Sequence, residues 1–198
     1  MEPVLSQLAP FNEHRFKLCI QYLSAYGKRT LTQYDIVKLH VLIDVFHVLE
    51  HGQPIIGGQL CAWEHGPVVK KAYNRAMHWY HAYMDRGELP EGMSIGKGDG
   101  RRVEFTATQR VDPVEFSDAE IESMLRAYHT LMDSKRTWKA RDEYFHGPDT
   151  FLGRAWGRRW KSGTRDIEIS WDDVIDEYAK DHPVAPEHVQ RIKRAIRL

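Results

Sequence analysis

The segment from Thr32 to His51 constrains the fold most. The spacing of Thr32 to Asp35 fits a capping box, which starts a helix at that point. The helix then carries Ile36, Val37, Leu39, Val41, Leu42, Ile43, Val45, Phe46, Val48 and Leu49. Those positions cover most sides of the cylinder rather than one stripe, so the helix is expected at the centre of the fold, with other elements packed around it. A chain of 198 residues is long enough to bury such a core in one domain.

The remaining elements follow from caps, breakers and periodicity. A first helix is expected from Asn12, a good N-cap, to Tyr26, with Phe16, Ile20 and Leu23 on one face and Gly27 as the stop. Glycines at 87, 92, 96, 98 and 100 argue against helix between Arg86 and Gly100. There, Gly98-Asp99-Gly100 lies between Met93-Ser94-Ile95 and Val103-Glu104-Phe105-Thr106, a turn between two short strand candidates. Ser117 with Glu120, and Ser170 with Asp173, form capping boxes for two further helices. A helix from Thr137 to Tyr144 and a broken aromatic connector are expected between them, and a basic helix from Glu187 to Ile196 follows Pro186. The expected class is α+β and predominantly α-helical: a single compact helical domain with a small β-hairpin near residues 93–106.

The stretch Gly57 to Asn74 does not fit this pattern of ordinary packing needs. Trp63, His65, Gly66 and Pro67 crowd together in it. Proline fixes φ and lacks the N–H, and the residue before it is pushed out of the α region. A helical segment is therefore expected to stop near Trp63. A new helix would start at Pro67 and run to about Met84, the corner between them projecting an indole and an imidazole. The indole could plug the groove between the flanking helices or serve as an interface anchor.

Charge and cysteine content narrow the classes. Lys plus Arg and Asp plus Glu number 28 each, giving no net charge, so no global field draws the chain to nucleic acid or to an anionic membrane. Met1 is followed by no basic-then-apolar leader, and the apolar run from Val41 to Leu49 is broken by Asp44 and His47. A soluble, cytoplasmic protein is expected. Cys19 and Cys61 sit among apolar residues and are expected as buried thiols rather than a disulfide or a metal site.

The sequence around the corner resembles the Panacea domain of SocA-like antitoxins, long catalogued as a domain of unknown function and also found in phage-associated proteins. The resemblance rests on a buried helix with Asp44 and His47, the Gly52-x-Pro54-Ile55 turn, and Ala62-Trp63 running into Gly66-Pro67-Val68. It continues through Phe116-Ser117-Asp118-Ala119-Glu120, His146 and Ile169. It implies a Panacea-like domain in residues 31–182, preceded by the N-terminal helix in 1–30 and followed by the basic C-terminal helix in 183–198. It also implies an antitoxin of a toxin-antitoxin system that neutralises a cognate toxin by direct protein–protein binding. Occlusion of the toxin and its delivery to a protease both stay open.

Candidate partner-binding residues are Trp63, His65, Gly66, Pro67, Val68, Lys70 and Tyr73. Asp44 and His47 are expected as a structural polar pair, hydrogen-bonded inside the fold. With His40 and His51 they fall at i, i+4, i+7 and i+11 on one stripe, which could also grip zinc. The catalytic His-Glu-x-x-His pattern is absent, however, and no metal and no cofactor are expected.

The alternative reading is a nucleic-acid-binding regulator. Arg154, Trp156, Arg158, Arg159, Trp160, Lys161 and Arg165 interleave cations with indoles, a combination suited to stacking and phosphate pairing. The acidic stretch Asp166 to Asp181 could neutralise it internally. Arg191, Lys193, Arg194 and Arg197 form a second basic group on the terminal helix. An enzyme is not expected: there is no phosphate-cradling loop, no nucleophile elbow, and glycines 96, 98 and 100 match no dinucleotide fingerprint. A metal-dependent hydrolase on the histidine stripe is the third and most distant class.

Overall fold

The computed structural model describes residues 9–98, 103–132 and 138–197. Asp99 and Gly100 of the expected turn and Thr137 of the expected helix lie outside them. The described chain is α+β and mainly helical. Its elements are α1 (Glu13–Gly27), β1 (Leu31–Thr32), α2 (Gln33–His51), β2 (Leu60–Trp63), β3 (Gly66–Val69) and α3 (Lys70–Arg86). They continue with β4 (Met93–Lys97), β5 (Val103–Ala107), α4 (Asp118–Met132), α5 (Trp138–His146), α6 (Phe151–Gly157), β6 (Ile167–Glu168), α7 (Trp171–Asp181) and α8 (Pro186–Ala195).

Helix starts are fixed by local chemistry. The Asn12 side chain accepts from the Arg15 N–H, and Thr32 and Asp35 satisfy each other's backbone donors in a complete capping box. Ser117 with Glu120 forms a second such box at α4, and the Ser170 side chain caps α7 by accepting the Asp173 N–H. The helix α2 is buried without interruption from Asp35 to Phe46. It packs against α3, α4, α8, β1, β3 and β5, which is why its sequence is apolar all round.

Two antiparallel three-stranded sheets flank it, in the orders β1-β5-β4 and β3-β2-β6. The expected hairpin is the β4–β5 pair, from Met93 opposite Ala107 to Lys97 opposite Val103. The second sheet corrects the expectation at the corner. Residues 60–69 form a β-hairpin with Trp63 opposite Gly66, and the following helix begins at Lys70, not Pro67. Gly66 has φ +86°, a value open to glycine and a poor start for a helix. Pro67 sits on β3, the edge strand of its sheet, where a missing N–H breaks no ladder bond to a further strand. The aromatic connector likewise holds a short helix, α6, capped by Thr150.

Candidate functional site

Two buried side chains of α2 hold the corner, Asp44 through the loop that leads into β2 and Lys38 through the tip of the β2–β3 hairpin. Asp44 is 2 % exposed. Its carboxylate accepts the backbone N–H groups of Ile55, Ile56 and Gly57 at 2.9, 2.8 and 2.8 Å. It also accepts His40 Nε2 at 3.0 Å, while the same ring nitrogen reaches Gly57 O at 3.1 Å. Both neighbours of Nε2 are acceptors, so that nitrogen carries the proton. His47 does not touch Asp44. Its Nδ1 donates to Gln53 O at 2.9 Å, and burial first, then His51, holds its pKa below the ordinary histidine value. Asp44 and His47 thus pin successive parts of one loop, and His40 is the partner that Asp44 uses.

At the tip, the ammonium of Lys38 donates to the carbonyls of His65 and, at 3.0 Å, Pro67. Lys38 is 3 % exposed, and its Nζ stands 4.7 Å from the centroid of the Phe145 ring, a cation–π contact in a dry setting. Burial pulls its pKa down to about 7, against the opposing attraction of Asp142. A Cβ on Gly66 would fall 2.9 Å from both Lys38 Nζ and His146 Nε2, so the tip rests directly on those two nitrogens. The indole N–H of Trp156 adds a further tie, donating to Trp63 O at 2.8 Å.

The hairpin separates the candidate partner-binding residues into two layers. Gly66, Pro67 and Val68 are buried and form its floor, and in this conformation they are covered. His65 and Lys70 are exposed, with Trp63 and Tyr73 half-buried beside them. The Trp63 and Tyr73 rings meet edge to face at 5.0 Å. The Trp63 indole does not plug a groove between helices: its N–H donates to Asp166 Oδ1 at 2.9 Å, and Lys70 pairs with the other oxygen of the same carboxylate. Asp166, which the motif reading missed, has φ +60°, a costly backbone for a residue with a Cβ. The hydrogen bonds from Lys70 and Trp63 hold its carboxyl below the usual aspartate range.

Three arginines of the basic aromatic segment pair with the acids of α7, while Lys161 and Arg165 are exposed. Arg154 bonds Glu177 and Asp181, Arg158 reaches Glu177 and Asp173, and Arg159 bonds Asp173. Trp156 is engaged with the hairpin and stacks on Trp160 at 5.0 Å. On the terminal helix, Lys193 pairs with Asp176 and Arg197 with Asp172. Much of the charge on both basic segments is therefore met within the fold.

The histidine stripe divides in the same way. His40 and Asp44 are buried and mutually bonded, while His47 and His51 stand with ring centroids 4.6 Å apart at the helix end. Among the described residues no group of three or more His, Cys, Asp or Glu is placed to hold a metal ion. No helix among them is long and apolar enough to cross a membrane. Cys19 and Cys61 are buried and free, with burial pushing the Cys61 thiol up to about 11.

The family model for the SocA-like antitoxin Panacea domain matches residues 36–147, more than half of the chain. The chain belongs to the SocA-like antitoxin Panacea-domain family. The matched span of the Panacea domain runs from α2 to α5 and so contains Asp44, Lys38, the whole β2–β3 hairpin and His146. The helices α6 to α8 and the rim residue Asp166 lie outside it. No curated protein and no solved structure matches the chain. The Panacea family is not known as an enzyme family.

Proposed function

We propose that this protein is an antitoxin that neutralises a cognate toxin in the cytoplasm by direct protein–protein binding, without catalysis, through the exposed rim of the β2–β3 hairpin. The carrying observation is the layered corner inside the Panacea span. His65 and the half-buried Trp63 on the hairpin stand beside Lys70 and the half-buried Tyr73 in the first turn of α3, with the hairpin tip held by Lys38 and the loop leading into it by Asp44. Fixing the rim in advance lowers the ordering cost of association. Half-exposed aromatic side chains beside charged ones are the residue types that dominate interface energetics. Occlusion of the toxin follows from such a rim more directly than chemistry does.

The test is co-expression. The product of the adjacent open reading frame, toxic by itself, should be tolerated when this protein is present, and the two should co-purify as one species. Rescue without co-elution would contradict direct neutralisation.

A further inference from the structure

We propose that Lys38 is the positioning residue of the corner, a buried latch sealed by the hairpin tip, and that taking up a proton at Lys38 loosens the tip. The presentation of the rim rests on the function proposed above; the latch itself does not. Among the described residues Lys38 Nζ has two hydrogen-bond acceptors, the His65 and Pro67 carbonyls, and both belong to the hairpin. Gly66, between them, closes over the nitrogen so tightly that no Cβ fits without displacing Lys38 or His146.

The charged and titratable groups around this point come from four elements. From α2 itself come the Tyr34 ring, 5.7 Å from Nζ, and Asp35, which is bound by Thr32 and reached by Arg141 at 4.0 Å. From α5 come Asp142 and His146. The Nδ1 of His146 faces the Asp142 carbonyl at 2.9 Å and its carboxylate at 3.2 Å, both acceptors, so Nδ1 carries the proton. That leaves His146 Nε2 as a buried lone pair without a hydrogen-bond partner among the described residues. From the hairpin come the two carbonyls, with the Glu64 and His65 side chains turned out to solvent. From α6 comes Trp156, bonded to the Trp63 carbonyl. Among the described residues no carboxylate lies within ion-pairing distance of Nζ.

Two effects compete when Lys38 is charged. Charge strengthens its bonds to the carbonyls and its attraction to the Phe145 ring. Desolvation opposes this: Lys38 is 3 % exposed with no carboxylate among the described residues to pair with, and burial carries its pKa down to about 7. Lifting the tip would hydrate the amine and return its pKa toward the ordinary 10.5. A proton therefore binds the open tip more tightly than the closed one, and by linkage protons favour opening. Loosening should grow as pH falls from about 10.5 towards 7 and level off below.

Hydrogen exchange of the Trp156 indole N–H, corrected for its intrinsic rate, reads the latch without any partner. Protection in the wild type is expected to fall roughly tenfold or more between pH 9 and pH 7, within the linkage limit of about tenfold per unit. Lys38→Met should abolish that dependence, and Lys38→Arg, charged throughout, should stay loose at every pH. Titration of the wild-type Lys38 Cε signal by nuclear magnetic resonance needs no variant and should give a midpoint near 7. A midpoint near 10.5, flat protection in the wild type, or an unchanged profile in Lys38→Met would overturn the latch. A confirmed latch with toxin binding indifferent to pH would uphold Lys38 and count against the corner as the docking face.

Discussion

The indole N–H of Trp63 donates to the carboxylate of Asp166 at 2.9 Å, across 103 residues of sequence, and this places the indole at a surface rim rather than in the core. Trp63→Ala should therefore cost less than the removal of a buried tryptophan. About 1 to 2 kcal/mol is expected from partial burial and one edge-to-face pair with Tyr73. Urea unfolding checks this. A loss of 4 kcal/mol would return Trp63 to the core.

Asp44 behaves oppositely. Asp44→Ala leaves the N–H groups of Ile55, Ile56 and Gly57 and the His40 ring without their acceptor in a buried site. A loss of about 4 kcal/mol or more is expected. Asp44→Asn should recover little, because its NH2 would face one of those donors. Urea midpoints for both variants measure the effect, and near-native stability in either would contradict the account of the loop that leads into β2.

The arginines of the 154–165 segment should matter for folding rather than for nucleic acid. Glu177 is 1 % exposed and accepts Arg154, Arg158 and Lys180. Arg158 and Lys180 stay on that carboxylate when Arg154 is removed, so Arg154→Ala is expected to cost about 1 to 2 kcal/mol. Binding of the isolated protein to its own promoter should be weak. Tight binding that collapses over a few-fold rise in salt, and disappears in the Arg158→Ala, Arg159→Ala protein, would restore the regulator reading.

Much of the helical framework was legible because caps are local. Asn12, Thr32, Ser117 and Ser170 act on residues three positions away, and the apolar surround of α2 announces its central place. The hairpin at the corner was not legible. Gly66-Pro67 reads as a break before a helix, and only pairing of β2 with β3 and with the two-residue β6 makes it a strand start. The helix α6 escaped for a related reason. Gly153 looks unfavourable in a helix, yet a Cβ there would collide with the Gly147 backbone, so close helix packing demands it. Lys38 was hidden because a lysine on a helix suggests solvent, and its acceptors lie 27 and 29 residues onward. A lysine between Val37 and Leu39 on a helix apolar on most sides was the available signal.

Stability should depend on pH through Lys38. With a folded pKa of about 7 against an ordinary 10.5, the unfolded chain holds more protons between those values, so stability rises with pH there. The gain is absent below about 7. Above about 9, Cys19 opposes it, because burial raises its thiol pKa and the unfolded chain releases that proton first. Urea unfolding at pH 7 and pH 8.5 should differ by about 1 to 2 kcal/mol. The rise should vanish in Lys38→Met.

The docking claim itself is tested most directly by measuring the affinity of the purified partner for three forms of this protein: wild type, His65→Ala and Lys70→Glu. Both changes lie on the exposed rim, and His65→Ala should alter stability by less than about 0.5 kcal/mol. Both variants should fold like the wild type and bind the toxin at least about tenfold more weakly, a loss of roughly 1.4 kcal/mol or more. Folded variants that bind with wild-type affinity would contradict it and move the docking surface away from the hairpin.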